Sequence, residues 1–309
     1  MILAKCSSRP GTHLRRVAVA GLTIVTLGAL VASLPAAHAE QPQNDAAVTP
    51  CVDPITACGC TITKPGFYNV TNNLNAGSGL TPKGGCIDIQ ASKVVLNTGH
   101  LVAGPAIAGY SITGPGGGMP IGIGVHILKG SNSDFLELVS DLTGWDVGLL
   151  VEGNNNIVEN FTAGPIGGPG NGTAGVEING GNSNNLNNFV AQNNSNYGVW
   201  IRGASNNQFN CANTDGNFNI GTFVGCSATG IGGKCKPKAV AKRNKIYDFS
   251  SDSNTNFGIV IDKGNNGNSV SDTAAQSSGT FDMDDENPNC DHNLWFLNPF
   301  DTASQLCID

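Results

Sequence analysis

Charge is scarce in this sequence: only 13% of its 309 residues are Asp, Glu, Lys or Arg. The Lys, Glu and Leu that build exposed helices are thin, and 42 glycines with a dense scatter of Asn, Ser and Thr stand in their place. That composition argues against an ordinary helical enzyme. Patterned metal ligands are lacking as well. His100, His126 and His292 are scattered singly, and Cys58-Gly59-Cys60 lacks the gap of about two to four residues usual in zinc sites. Proline and glycine together stay below the level that signals disorder, and 39% apolar residues can supply a continuous core, so the chain should fold.

Residues 1–39 read as an export signal. Lys5, Arg9, Arg15 and Arg16 form a basic start, Val17 to Leu34 is an apolar run, and Ala37-His38-Ala39 offers a small-x-small cleavage site. A retained membrane anchor is the alternative, since a run of 18 residues approaches the length of a spanning helix. Cleavage would remove four basic and no acidic residues, leaving 12 basic against 23 acidic and a net charge of −11. Nucleic acid is therefore excluded as a natural partner, and no stable membrane insertion is expected once the signal is gone. The same sign favours a neutral glycan, or an acidic one screened by a bound cation.

Nine cysteines remain beyond the signal, in three groups: Cys51, Cys58, Cys60 and Cys86; Cys211, Cys226 and Cys235; Cys290 and Cys307. They predict disulfides stapling an N-terminal cap, an inserted loop and a C-terminal tail in an oxidising, secreted or periplasmic setting. The odd count predicts one thiol that stays free or pairs between chains.

The informative feature is a repeat. One phrase recurs as Gly124-Val-His-Ile127, Gly148-Leu-Leu-Val151, Gly175-Val-Glu-Ile178, Gly198-Val-Trp-Ile201, Gly221-Thr-Phe-Val224 and Gly258-Ile-Val-Ile261. The glycines restart after 24, 27, 23, 23 and 37 residues, and the last step becomes regular if the stretch around Cys226 to Lys238 is an inserted loop. An earlier copy is Cys86-Ile-Asp-Ile89, followed by Gly-Pro-rich insertions within 104–120. Each phrase alternates as a strand with one buried face, and Asn-rich corners such as Asn154-Asn155-Asn156, Asn184-Asn185 and Asn206-Asn207 follow. Asparagine accepts left-handed backbone, and stacked amides can bond along a solenoid. The fixed leucines of leucine-rich repeats are missing, and a β-sandwich would not restart one phrase at a near-constant step.

The phrases, the Asn corners and the lead-in Cys58-Gly-Cys-Thr-Ile-Thr-Lys-Pro-Gly-Phe-Tyr68 resemble exported right-handed parallel β-helix repeat proteins of the pectin-lyase-like superfamily, over roughly Cys58 to Thr273. The resemblance implies an all-β fold, a right-handed coil with three parallel sheets, and a function only loosely, because the superfamily spans lyases, hydrolases, epimerases, tailspikes and adhesins. Asn213-Thr214-Asp215 is similar to the first polygalacturonase motif, but the paired aspartates, Gly-His-Gly and Arg-Ile-Lys do not follow in order. Hydrolase roles are therefore not transferred. The expected layout is a signal over 1–39, a linker and cap over 40–85, the β-helix over 86–280 and a C-terminal cap or tail over 281–309.

Aligned phrases place equivalent residues about 4.8 Å apart on successive coils. One outward row reads Asp88, His126, Leu150, Glu177, Trp200 and Phe223; its neighbour includes Glu152, Asn179 and Arg202. This face is expected to bind glycan, with Trp200 as a stacking platform beside Phe223 and His126. In a polysaccharide lyase or hydrolase, Glu152 and Glu177 would be candidate acid and base and Arg202 a clamp or proton-abstracting group. The alternative is a solvated sheet carrying a surface ion pair. A second candidate is Asp282-Met-Asp-Asp-Glu286, where Asp282, Asp284 and Asp285 could ligate calcium or form a solvated acidic tail. No other cofactor is expected.

Overall fold

A computed structural model describes residues 49–76, 84–101, 107–115, 121–164, 170–226 and 240–309. The expected signal and nearly all of the loop around Cys226 to Lys238 lie outside those residues, as do 104–106 and 116–120 of the Gly-Pro-rich insertion. The described chain is a parallel β-helix. Its first sheet stacks nine parallel strands: Cys60–Ile62, Gly85–Ile89, Ile123–Ile127, Val147–Val151, Ala174–Asn179, Tyr197–Arg202, Ile220–Val224, Phe257–Ile261 and Phe281–Asp285. The stack thus begins before residue 86 and continues past 280, so the repeat extends beyond the boundaries set by the glycine phrase alone.

The second sheet runs from Gly66–Asn69 to Leu294–Phe296. Its longer strands, such as Ile157–Ala163 and Gln208–Asn213, turn a corner midway. Asn160, Asn188, Cys211 and Asp248 occupy equivalent rungs there, each with φ between 51° and 63°. One left-handed residue per coil therefore bends this sheet into two limbs, which supplies the third face. Asn and Asp tolerate that backbone through local side-chain hydrogen bonds.

The reason each phrase opens on glycine is close approach. A Cβ on Gly124, Gly148, Gly175, Gly198, Gly221 or Gly258 would lie 2.4–2.9 Å from a carbonyl oxygen of the next coil. A side chain at any of these six positions would push the coils apart. Inside, Val158, Leu186, Phe209, Ile246, Val270 and Trp295 stack in one buried row, and Phe161 lies face to face on Phe189 at 5.0 Å. Full burial of such a side chain contributes about 1.5–3 kcal/mol.

Amide ladders run through the corners. Asn156, Asn184, Asn207, Asn244, Asn268 and Asn293 form one buried ladder. In it Asn184 donates both its backbone N–H and Nδ2 to Asn207 Oδ1, at 2.9 and 3.1 Å. Asn171, Asn194, Asn217 and Asn254 form a second. Asp134 opens the first ladder with a carboxylate where the other rungs carry an amide. Burial pushes its pKa up to about 6, against hydrogen bonds from Val94, Ser131 and Lys93. A raised carboxyl pKa weakens the fold as pH climbs from about 4 through 6. Asp134→Asn is therefore expected to add about 2 kcal/mol at pH 7 and almost nothing at pH 4, read as urea-midpoint shifts at the two pH values.

Disulfides Cys51–Cys60 and Cys58–Cys86 staple the first coils, and Cys290–Cys307 staples the tail. Cys211 and Cys226 are also disulfide-bonded, so no described cysteine is free. The ninth cysteine, Cys235, lies outside the described residues.

Candidate functional site

Strand register brings the outward row together as the phrase alignment expects. Asp88 pairs with His126, His126 with Leu150, Leu150 with Glu177, Glu177 with Trp200, and Trp200 with Phe223. Asn179 pairs with Arg202 in the neighbouring row.

Exposure corrects the aromatic part of that reading. Trp200 is 3% exposed and Phe223 fully buried, so neither presents an open ring to a sugar. The Trp200 indole N–H donates to the Gly225 carbonyl at 2.9 Å, and the Arg202 guanidinium lies 4.6 Å over its ring. Tyr197 packs 5.2 Å from Trp200 and 5.3 Å from Phe223. With Ala174, Ile220 and Val260 these rings form a small hydrophobic cluster on the outside of the coil. Tyr197 thus touches both rings, one on its own strand and one on the next coil.

The polar residues of the face form two linked groups. His126 Nε2 meets Glu152 Oε2 at 3.0 Å, and its Nδ1 lies 3.4 Å from Asp88 Oδ1. Glu152 also accepts Asn179 Nδ2 at 3.1 Å, and Asp88 accepts the Gly85 N–H at 2.7 Å. Burial opposes charging of His126, but the hydrogen bonds and charges of Asp88 and Glu152 outweigh it and push the pKa up to about 9. The hydrogen bond from His126 in turn holds Glu152 below the usual carboxylate range. At neutral pH this is an imidazolium clamped by two carboxylates, a proton donor and not a base.

In the second group, Arg202 Nε lies 2.5 Å from Glu177 Oε1. Glu177 is 4% exposed, and burial raises its pKa against the opposing charge of Arg202. Arg202 is thus paired with one carboxylate while its guanidinium also lies over the Trp200 ring. Asp88 and Asn179, which complete the network, were visible in the sequence only as members of the outward rows.

Asp282, Asp284 and Asp285 are buried instead of forming a solvated tail. Their carboxylates are engaged separately. Asp282 occupies the position of the phrase's glycine on the last coil, where no further coil crowds it, and accepts the N–H groups of Ser278, Asp301 and Thr302. Asp285 turns inward and accepts Asn287, Asn293 and the Trp295 indole. Asp284 faces outward opposite Val260, and burial pushes its pKa up to about 6. Among the described residues no three His, Cys, Asp or Glu side chains converge as metal ligands.

No family model matches the chain, and no curated protein sequence matches it. Solved structures do. The Dettilon tailspike protein superposes with a TM-score of 0.50 at 12% identity, covering 80% of this chain and 52% of that one. The enzymatically active domain of bacteriophage CBA120 tailspike protein 2 gives 0.50 at 12%, covering 79% and 38%. The periplasmic alginate epimerase AlgG gives 0.41 at 13%, covering 80% and 71%. This chain spans about half of the first tailspike and less of the second. At such identity the two tailspike likenesses show the fold alone, a parallel β-helix.

Proposed function

We propose that this is an exported β-helix protein that binds a polysaccharide or cell-envelope glycan along the outward face of its nine-stranded sheet. The observation that carries the reading is the polar strip itself. Asp88, His126, Glu152, Asn179, Arg202 and Glu177 sit on adjacent rungs, held by one another, with Glu152 and Arg202 side chains 27% and 34% exposed. Such a preorganised strip offers hydroxyl-bearing chains fixed donors and acceptors at little ordering cost. The disulfides fit an oxidising compartment, and no helix among the described residues is long and apolar enough to cross a membrane. A net charge of −11 beyond the export signal argues against nucleic acid as the partner.

A polysaccharide-active enzyme is the second reading, and the specific observation favouring it is the charged His126 between two carboxylates, a proton donor at neutral pH. One experiment separates the two. The purified mature protein is applied to a panel of neutral and uronic polysaccharides, with retention and unsaturated-product absorbance read in parallel. Retention without product is expected, with Glu152→Gln and Arg202→Lys each weakening it about tenfold. Product formation abolished by His126→Gln would establish the enzyme instead, and no retention on any member of the panel would sink the binding reading.

A further inference from the structure

The bent sheet carries a different kind of surface. Register places Phe67, Val95, Phe135 and Ile157 on four successive rungs of one outward row. Phe67 is 76% exposed and Ile157 38%. Two residues along each strand, the adjoining row reads Asn69, Asn97, Glu137, Glu159, Asn187 and Asn210. These side chains reach along the stack: Asn210 Nδ2 donates to Asn187 Oδ1 at 3.0 Å, and Asn187 Nδ2 to Glu159 Oε1 at 3.5 Å. Further on, the half-buried Tyr247 accepts Gln208 Nε2 at 2.9 Å.

We infer that this face is a second glycan-binding surface, for an extended neutral polysaccharide lying along the axis of the coils. A sugar ring has apolar C–H faces and a hydroxyl edge, and an apolar row beside an amide row presents the complement of both. The rungs repeat every ~4.8 Å, on the order of one sugar ring, so one pattern of contacts can recur along a chain. Charge selects the class. Across the six rungs from Phe67 to Gln208 and from Asn69 to Asn210 the two rows hold two carboxylates and no cation, so an anionic chain is repelled and a neutral one is not. A protein partner would require a broader apolar centre, whereas this stripe is one residue wide. The surface lies on a different sheet from the polar strip and stands independently of it.

The test uses the full mature protein and a water-insoluble neutral glucan, with polygalacturonate as the anionic comparison. Retention on the glucan is expected to be unchanged by salt and about tenfold weaker in the double variant Phe67→Ala/Phe135→Ala. Phe67→Ala alone, at a largely exposed position, is expected to weaken it measurably with an unchanged melting temperature. Phe218→Ala, which removes a 73%-exposed ring outside the bent sheet and the polar strip, should leave it intact. Three results would each overturn the inference: equal retention of wild type and double variant, retention on polygalacturonate alone, or sedimentation as a dimer that the double variant dissolves. The last would make the stripe an interface between copies.

Discussion

Asn207→Ala is expected to lower the free energy of unfolding by about 4 kcal/mol, because it breaks the first amide ladder near its middle. Asn207 Oδ1 accepts both the backbone N–H and Nδ2 of Asn184, and its own Nδ2 donates to Gly181 O and Asn244 Oδ1, at 3.0 Å each. The residue is 1% exposed, so water has little access to the groups left behind. Each buried orphan costs about 1–3 kcal/mol, and the substitution creates several. Its neighbour Asn206 provides the contrast. It is exposed with φ 58°, so Asn206→Gly keeps the left-handed backbone and should change stability by less than about 0.5 kcal/mol. Guanidinium titrations followed by circular dichroism measure both. Because each coil contacts only its neighbours, the Asn207 variant should also unfold less cooperatively, with a shallower transition. A loss for Asn207→Ala no larger than that of Asn206→Gly would show that the ladder is ornamental.

That contrast explains what the sequence disclosed. Repeats with a near-constant step reveal coils, and the alternation inside Gly175-Val-Glu-Ile178 reveals which side chains leave the core, so the rows holding Glu177 and Trp200 follow directly. Alternation is silent about whether an outward side chain meets solvent. Trp200 and Phe223 leave the coil as expected and are then buried: Tyr197 and Arg202 of its own strand pack on Trp200, and Tyr197 also packs on Phe223 of the next coil, contacts on which the alternation carries no information. Asn-rich corners were equally legible, but the left-handed rung itself is not always asparagine. Lys93, Ser133, Ser183 and Arg243 also adopt positive φ, because an asparagine or aspartate ladder bonded through the next residue over-determines the turn. Asp282 was legible only as one of a run of acids, either a calcium ligand or part of a solvated tail; its place at the last glycine position, where it accepts the tail's N–H groups, comes from the register.

The stability of the wild-type protein is expected to fall by about 3 kcal/mol between pH 6.5 and pH 9.5, and His126→Gln is expected to abolish most of that fall. Folding pushes the His126 pKa up to about 9 from the ordinary histidine value of 6.5, despite a burial that works the other way. For a group whose pKa rises on folding, the contribution is complete below the unfolded value and disappears as pH passes the folded one. Glu152 bounds the window on the acid side. Its pKa is lowered first by the hydrogen bond from His126, so its contribution is present above the unfolded value of 4.5 and lost as pH falls further. The network should therefore hold best between about pH 4.5 and 6.5. Loss of the imidazolium leaves Asp88 and Glu152 on either side of an uncharged group, so His126→Gln should also lower stability at pH 6 while barely changing it at pH 9.5. Urea midpoints of both proteins across that range decide the matter. A wild-type profile that is flat from pH 6.5 to 9.5 would mean that His126 is neutral, and the polar strip would then present an imidazole acceptor to a bound sugar in place of a fixed cation.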